Sequence, residues 1–298
     1  MMAAINKVFF LCLVTTFLLV SGLTKATQSF AATEGIIPYS VIGTNEYNLP
    51  VGFDEPINLL LSYNVWTNTN QNWGPDGKKV SSGYDLFASV NKFARLFTID
   101  GIDNWGFLWE GVLSLGSLTT EAGDNATGLL DPQTGVVAWT KPVPNWTTCF
   151  EYWMYLPFGD DSLTSGALSH AVTWMNNVQL FDGKIVVDMD LGYKIRGDAR
   201  AGGVKSEQGN SLFTNWVVTY MHNPYFNPSI HFDYEASGSG KNKNTGATIA
   251  SGENMQVGIG NSMKLTDRLL FDIWYSYGID GRNSPVTNNV YTRFIWSF

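Results

Sequence analysis

Hydrophobic and polar residues alternate along most of this chain with a period of two. The clearest run is Ile185–Arg196. Ile185, Val187, Met189, Leu191, Tyr193 and Ile195 form one set, and Val186, Asp188, Asp190, Gly192, Lys194 and Arg196 the other. Successive side chains of a strand point to opposite sides, so this pattern predicts a strand with two unlike faces. The pattern recurs in Ile57–Trp66, Ser229–Ser237, Leu269–Tyr277 and Val290–Phe298. Less regular runs are Gly83–Phe97, Asn104–Leu118, Gln133–Thr140, Trp146–Leu156, Ser169–Leu180, Leu212–Met221 and Met255–Met263. Together they predict about 12 strands, with 10 or 14 as neighbouring counts. Most reach the length of about 9–11 residues that a tilted strand needs to cross a bilayer.

The links between the runs alternate in length. Those after the even-numbered strands are short and centre on Asp100-Gly101, Pro142-Val143-Pro144, Asp182-Gly183, Asn223-Pro224 and Thr266-Asp267. Those after the odd-numbered strands are longer and polar, as in Thr67–Ser82, Gly197–Ser211 and Gly238–Asn254. A transmembrane antiparallel up-and-down β-barrel has this rhythm, with short periplasmic turns and long extracellular loops. A soluble β-sandwich also alternates along its strands, but it does not predict the rhythm. Nor does it explain Trp66, Trp105, Trp139, Trp146, Trp216, Tyr220 and Trp296 near strand ends, where a barrel carries aromatic girdles. The expected class is all-β, a barrel over residues 57–298.

Composition supports this reading. Aromatic residues make up 14% of the chain and include eleven Trp, glycine numbers 30 and charged residues are 15%. Many aromatics and glycines with few charges suit short strands joined by polar loops. The N-terminus reads as an export signal over residues 1–31. Lys7 precedes the apolar run Val8–Val20, and Ser29-Phe30-Ala31 offers a small-x-small cleavage site. The apolar run is shorter than the ~20 residues of a spanning helix, which disfavours a membrane anchor. The mature chain is then acidic, since 26 acidic residues face 18 basic ones of which Lys7 and Lys25 are lost. A nucleic-acid partner is disfavoured by that balance. Cys149 is left as the one mature cysteine, so no internal disulfide is expected.

Charge sets the expected register. Arg or Lys facing lipid at mid-bilayer costs roughly 2–4 kcal/mol, and Asp or Glu somewhat less. The charged face of each strand is therefore expected to turn inward and the apolar face to meet lipid. This assigns Asp85, Glu110, Glu151, Asp188, Asp190, Lys194, Arg196, His231, Asp233, Glu235, Asp272 and Arg293 to the lumen. Such a set can pair into a packed, plugged interior, or line a water-filled path. The segment 32–56 carries Pro38, Pro50 and Pro56 and an apolar cluster at Ile36, Ile37, Tyr39, Val41 and Ile42. It is expected to be either a leader without regular structure or a piece that enters the lumen.

Catalytic patterns are missing. There is no Gly-x-Ser-x-Gly elbow, Gly-rich phosphate loop, Cys pair or His-Glu-x-x-His. None of His170, His222 and His231 is followed by Ser two residues on, the arrangement of the outer-membrane phospholipases. An enzyme, a cofactor and a metal site are not expected, and a barrel-embedded hydrolase is the least favoured alternative.

Several segments carry a resemblance. They are Gly52-Phe53-Asp54-Glu55-Pro56-Ile57 leading into Leu59–Trp66, and Asp76-Gly77-Lys78-Lys79-Val80. Gly128-Leu129-Leu130-Asp131-Pro132 and Tyr155-Leu156-Pro157-Phe158-Gly159 complete the set. Over residues 45–298 the chain resembles the bacterial outer-membrane family known as MetA-pathway of phenol degradation proteins. It departs in having few Tyr in the first strand and Leu130 where Gly is usual. The resemblance implies an outer-membrane channel for passive uptake of small solutes, aromatic or other apolar compounds among them. The alternative is a structural or plugged barrel without transport. The ending Phe294, Trp296 and Phe298 resembles the signal read by the barrel-assembly machinery. The expected partners are thus outer-membrane lipid, that machinery and a small-molecule solute.

Overall fold

The computed structural model describes residues 42–121, 123, 125–200 and 205–298. The expected export segment and residues 32–41 of the leader lie outside the described residues. Twelve long strands follow one another: β1 Ile57–Trp73, β2 Lys79–Phe97, β3 Trp105–Thr120, β4 Gln133–Val143, β5 Trp146–Tyr155 and β6 Ser169–Leu180. The second half is β7 Ile185–Ile195, β8 Ser211–Tyr220, β9 Asn227–Ser237, β10 Gly252–Thr266, β11 Leu269–Arg282 and β12 Asn288–Ser297. Each pairs antiparallel with its chain neighbours, and β12 returns to β1 from Leu59↔Ser297 to Asn68↔Asn288. The sheet is thereby closed. Closure satisfies every inter-strand backbone group without an edge, which a sheet in hydrocarbon requires.

Short reversals gather at one end. Between β6 and β7 the chain turns through Phe181, Asp182 and Gly183, all at positive φ (54°, 56° and 81°). Glycine and Asp are the residue types that tolerate that region at small cost. At the opposite end the links after β5, β7 and β9 are long, as expected, but the first hairpin departs from the expectation. The polar stretch Thr67–Ser82 is mostly strand, because β1 and β2 run on as a paired ladder and leave only residues 74–78 as a turn. Above the bilayer both faces of a hairpin meet water. The alternation that marks a strand fades there, while the backbone ladder continues. The links after β7 and β9 also pair with each other, Ser206↔Asn242 and Glu207↔Lys241, within a small second sheet.

The inner and outer faces divide the barrel into two arcs. On β7, Val187, Met189, Leu191, Tyr193 and Ile195 share the outer face, and Asp188, Asp190 and Lys194 are buried within. β8, β9 and β11 repeat this, with Val218, Ile230, Ile273 and Tyr275 exposed outside. On β1 the apolar set does the reverse. Leu61, Tyr63 and Val65 are buried inside, while Ser62, Asn64 and Trp66 face outward. β2 follows, with Leu86, Ala88, Ala94 and Leu96 inside and Ser89, Asn91 and Arg95 outside. The expectation that apolar faces meet lipid on every strand is therefore corrected for β1 and β2. The reason lies in the lumen, where the apolar wall has a covering of its own.

Of the expected girdle aromatics, Trp66, Trp105, Tyr220 and Trp296 are exposed on the outer wall. Trp146 and Trp216 lie there half-buried, hydrogen-bonded to Asn176 and Thr214. Trp139 belongs elsewhere. It points inward and is 0% exposed, since β4 places Gly135, Val137 and Trp139 on one face, toward the barrel interior.

Candidate functional site: an occupied lumen

The lumen holds part of the chain itself. Residues ahead of β1 enter the barrel and bond to the inner wall at several points. Asp188 on β7 accepts the backbone N–H of Asn45 (2.6 Å) and of Tyr47 (3.1 Å). Asn177 on β6 donates to Asp188 (2.8 Å) and to the side chain of Asn45 (3.3 Å). The Tyr47 hydroxyl donates to Asp190 (3.1 Å), which also accepts the backbone and side-chain N–H of Asn215 on β8 (2.9 and 2.8 Å). Carboxylates are well suited to this task. Each offers several acceptor sites, and a bond to a charged acceptor is about twice as strong as a neutral one.

The opposite side is organised by Arg293 on β12, which is 0% exposed. Its guanidinium donates to Asp272 on β11 (2.6 Å), to the Thr44 carbonyl (2.7 Å) and to Glu46. Glu46 also accepts the Tyr63 hydroxyl (2.5 Å) and the Gly43 backbone N–H (3.1 Å). A buried guanidinium with two carboxylates and a carbonyl spends its donors on fixed partners, as a buried charge must. Thr44 meets Thr219 (3.0 Å), Asn48 accepts from Lys141 (3.0 Å) and the Pro50 carbonyl accepts from Trp139 Nε1 (2.8 Å).

Between these anchors the segment turns apolar. Leu49, Val51 and Phe53 pack, with Ile42 and Tyr47, on a cluster that includes Leu61, Tyr63, Ala94, Leu96, Leu108, Val137 and Trp139. This is the covering that β1 and β2 face. Burying apolar side chains against one another inside the barrel gains what burying them against lipid would gain. The inverted register of these strands thus follows from what occupies the lumen. Cys149 is buried in the same cluster.

Away from the segment, the inner wall pairs its charges. Lys92 on β2 meets Glu110 on β3 at 3.1 Å, with Glu151 on β5 facing the same space. Arg196 meets Glu235 at 3.2 Å, and Lys194 sits 4.1 Å over the Tyr155 ring. His231 takes a hydrogen bond with Ser229 (2.9 Å) and stacks on Trp274 (5.1 Å between centroids), which stacks on Tyr291 (4.8 Å). Val65, Ala88 and Leu130 pack beside that stack. Among the described residues no group of three His, Cys, Asp or Glu is placed to hold a metal ion.

Eleven of the candidates read from the sequence lie on the inner face: Glu110, Glu151, Asp188, Asp190, Lys194, Arg196, His231, Asp233, Glu235, Asp272 and Arg293. Asp188, Asp190, Asp272 and Arg293 converge on the segment, while Glu110, Lys194, Arg196, His231 and Glu235 engage neighbouring side chains of the wall. Asp85 is corrected. It is exposed on the outer face of β2, where Asn68 donates to it at 2.6 Å. Sequence reading missed Lys92, Trp139, Trp274 and Tyr291 on the inner wall, and Thr44, Asn45, Glu46 and Tyr47 on the segment. A signal existed for the segment, since Tyr47, Leu49, Val51 and Phe53 alternate.

Comparison with known proteins agrees with the architecture. The family described as putative MetA-pathway of phenol degradation matches residues 69–294. No curated protein matches. Among solved structures, an outer membrane channel from Pseudomonas putida F1 superimposes with a TM-score of 0.74 at 16% identity, over 87% of this chain and 100% of that one. The translocator domain of the autotransporter NalP from Neisseria meningitidis gives 0.49 at 9% identity, over 84% of this chain and 90% of that one. The chain thus has the fold of a closed, twelve-stranded outer-membrane barrel.

Proposed function

Since the chain belongs to the family described as putative MetA-pathway of phenol degradation, we propose that it is a passive outer-membrane channel for small aromatic or apolar solutes, closed by its own N-terminal segment. One observation carries this reading. The segment is held by discrete hydrogen bonds to Asp188, Asp190 and Arg293 rather than continuing as a thirteenth strand. A piece fastened at a few polar points can leave without breaking the sheet. The His231–Trp274–Tyr291 stack beside Val65 and Leu130 supports an apolar or aromatic solute, because ring faces and aliphatic side chains offer it a surface. Thr67, Ser114 and Ser276 aim inner-face hydroxyls that have no protein partner among the described residues. Such groups suit a wet passage, where water takes the hydrogen bonds.

The roles of the inner-wall residues belong to the same proposal. Asp188, Asp190, Asp272 and Arg293 hold the segment, and Lys92, Glu110, Glu151, Lys194, Arg196, His231, Asp233 and Glu235 line the remaining passage. No catalytic role is assigned. Phe294 and Trp296 on the outer face of β12, with Phe298 just beyond the strand, serve as the ending read during barrel assembly. A second reading, a structural barrel without transport, draws on the same bonds if they never open.

Planar-bilayer conductance separates the two. The wild-type barrel is expected to conduct weakly or intermittently. A variant lacking residues 44–53 is expected to conduct several-fold better and to be blocked by aromatic acids and phenols. A deletion variant that folds and stays silent would overturn the channel reading and leave the structural one.

A further inference from the structure

The outer wall carries a polar patch where hydrocarbon is expected. On β1, β2 and β12 the outward positions include Ser62, Asn64, Ser89, Asn91 and Thr292. They are contiguous, because Asn64 pairs with both Ser89 and Thr292 across the ladder, and Ser62 pairs with Asn91. The patch does not lie above the membrane. Trp66, Phe87 and Val290 flank it on the side of the long loops, and Leu60, Phe93, Phe294 and Trp296 on the side of the short turns. Asn64 is seven residues into β1. At about 3.3 Å per residue and a tilt near 40°, that is roughly 15–18 Å up an apolar band of about 25 Å.

Internal bonds use little of this polarity. Asn64 donates once to Thr292 (3.4 Å) and Asn91 once to Ser89 (3.2 Å). Each amide keeps its carbonyl oxygen and a second N–H for a partner outside the barrel. Lipid tails offer none, and an amide without a partner in hydrocarbon is costly. Two other polar residues of the outer face, Asn176 on β6 and Thr214 on β8, are buried and accept from Trp146 and Trp216. The open outer surface of β7, β8 and β9 is apolar or aromatic, with Tyr193, Val218 and Ile230 exposed.

We propose that this patch is the contact surface between two copies of the barrel, related by a twofold axis along the membrane normal. Such an axis keeps depth unchanged, so each residue faces residues of its own depth, and those on the axis face their own counterparts. A self-facing surface must therefore be self-complementary. Asn, Ser and Thr meet that condition, since each carries donor and acceptor and can bond to its own kind. A charged patch would not meet it. The charged residues, Asp85 and Arg95, stand at the two ends of the patch and are bonded to Asn68 and Asn58 of β1. Hydroxyl and amide side chains hold helices together inside bilayers in the same way. The flanking Trp66, Phe87, Leu60 and Phe93 close the contact above and below with apolar surface.

Cysteine cross-linking in intact outer membranes tests the proposal. In a Cys149→Ala background, Asn64→Cys and Asn91→Cys are exposed to copper-phenanthroline or a short bis-maleimide. Ile230→Cys, outward on the far wall, is the control. The expected result is a band at twice the barrel mass, at least ten-fold stronger at positions 64 and 91 than at 230. Equal cross-linking at all three positions, or a product containing a different protein, overturns the second-copy assignment. A second measurement uses light scattering in mild detergent. The wild type is expected as a dimer, and the variant Ser62→Leu, Asn64→Leu, Asn91→Leu, Thr292→Val as a heat-modifiable, folded monomer. A dimer that survives in this variant overturns the proposal. Should the variant not fold, the cysteine positions still decide.

Discussion

Two arcs of one barrel use the same alternation to opposite ends. From β7 to β11, apolar side chains meet lipid and charged ones meet the lumen. On β1 and β2, Leu61, Tyr63, Val65, Leu86 and Leu96 meet the lumen, and Ser62, Asn64, Ser89 and Asn91 face out. Period two establishes that a strand has two faces. It does not say which solvent each face meets. That depends on the neighbours, and here the neighbour is the segment carrying Leu49, Val51 and Phe53. A lumen with an apolar tenant on one side and a charged wall on the other accepts either orientation of an alternating strand.

The largest difference between the arcs appears when charge is forced outward. Leu191→Arg puts a guanidinium on the lipid side of β7, among Val187, Met189 and Tyr193. A loss of roughly 2–4 kcal/mol is expected if the site lies near mid-bilayer. Reversible urea unfolding in phospholipid vesicles measures it. A change near zero would show that this wall is covered by protein rather than by lipid, and the comparison would lose its apolar arm.

Much of this was readable beforehand, and the reasons for the rest are physical. On β7 the parity of Asp188, Asp190 and Lys194 leaves one affordable orientation, so its register could be read from charge alone. On β1 no charged residue lies between Ile57 and Trp73, and the lipid rule has nothing to act on. On β2 charges of opposite parity compete. Asp85 and Arg95, toward the two ends of its membrane-spanning part, argue for one face and Lys92 for the other. Lys92 lies mid-strand, where a lipid-facing ammonium costs most, and it finds Glu110 inside. Asp85 lies toward the long-loop end, where water reaches it. Weighing depth as well as charge would have turned β2 correctly. Leu61 pairs directly with Lys92, so β1 would have followed. Trp139 was misplaced for a related reason. Proximity to a strand end suggests a girdle, but only the parity of Val137 and Trp139 shows that the ring points inward, to the Pro50 carbonyl. The segment's anchors join residues as far apart as Asn45 and Asp188, and no local pattern reveals such a pair.

The next effect probes the charged wall as a holder of the segment. Asp188 accepts two backbone N–H groups of the segment and one from Asn177. Asp188→Asn keeps the shape and replaces one acceptor oxygen by a donor. Bonds to charged groups contribute about 1.5–3 kcal/mol each, and removal of one partner costs more than a neutral exchange. Docking of the segment is expected to weaken by roughly 1.5–3 kcal/mol, with the barrel intact. A thiol at position 47, in the Cys149→Ala background, reports it through faster reaction with a water-soluble maleimide. The apolar wall predicts a different outcome for Leu61→Ala, which removes packing beneath the segment and lowers barrel stability with it. If both variants change labelling and unfolding alike, segment and barrel form one cooperative unit, and the two walls are not separable.

The smallest effect bears on where the arcs meet. Asp85 stands on the outer face toward the end of β2, with Asn68 as its partner. Had it lined the lumen, neutralising it would remove one negative charge from a narrow passage and shift the balance between cations and anions. On the outer face it is remote from the path by the thickness of the wall. Asp85→Asn is therefore expected to leave reversal potentials under a salt gradient unchanged. Stability is expected to move by less than about 0.5 kcal/mol, the usual range for a surface site. Glu110→Gln is the matched comparison, because Glu110 lies on the inner face and holds Lys92 at 3.1 Å. Its neutralisation frees an ammonium inside the barrel and is expected to shift selectivity toward anions. The deletion of residues 44–53 supplies the conducting background for both measurements. Equal shifts from Asp85→Asn and Glu110→Gln would place both carboxylates in the passage. That result would turn β2 over, and with it the polar patch on the outer wall.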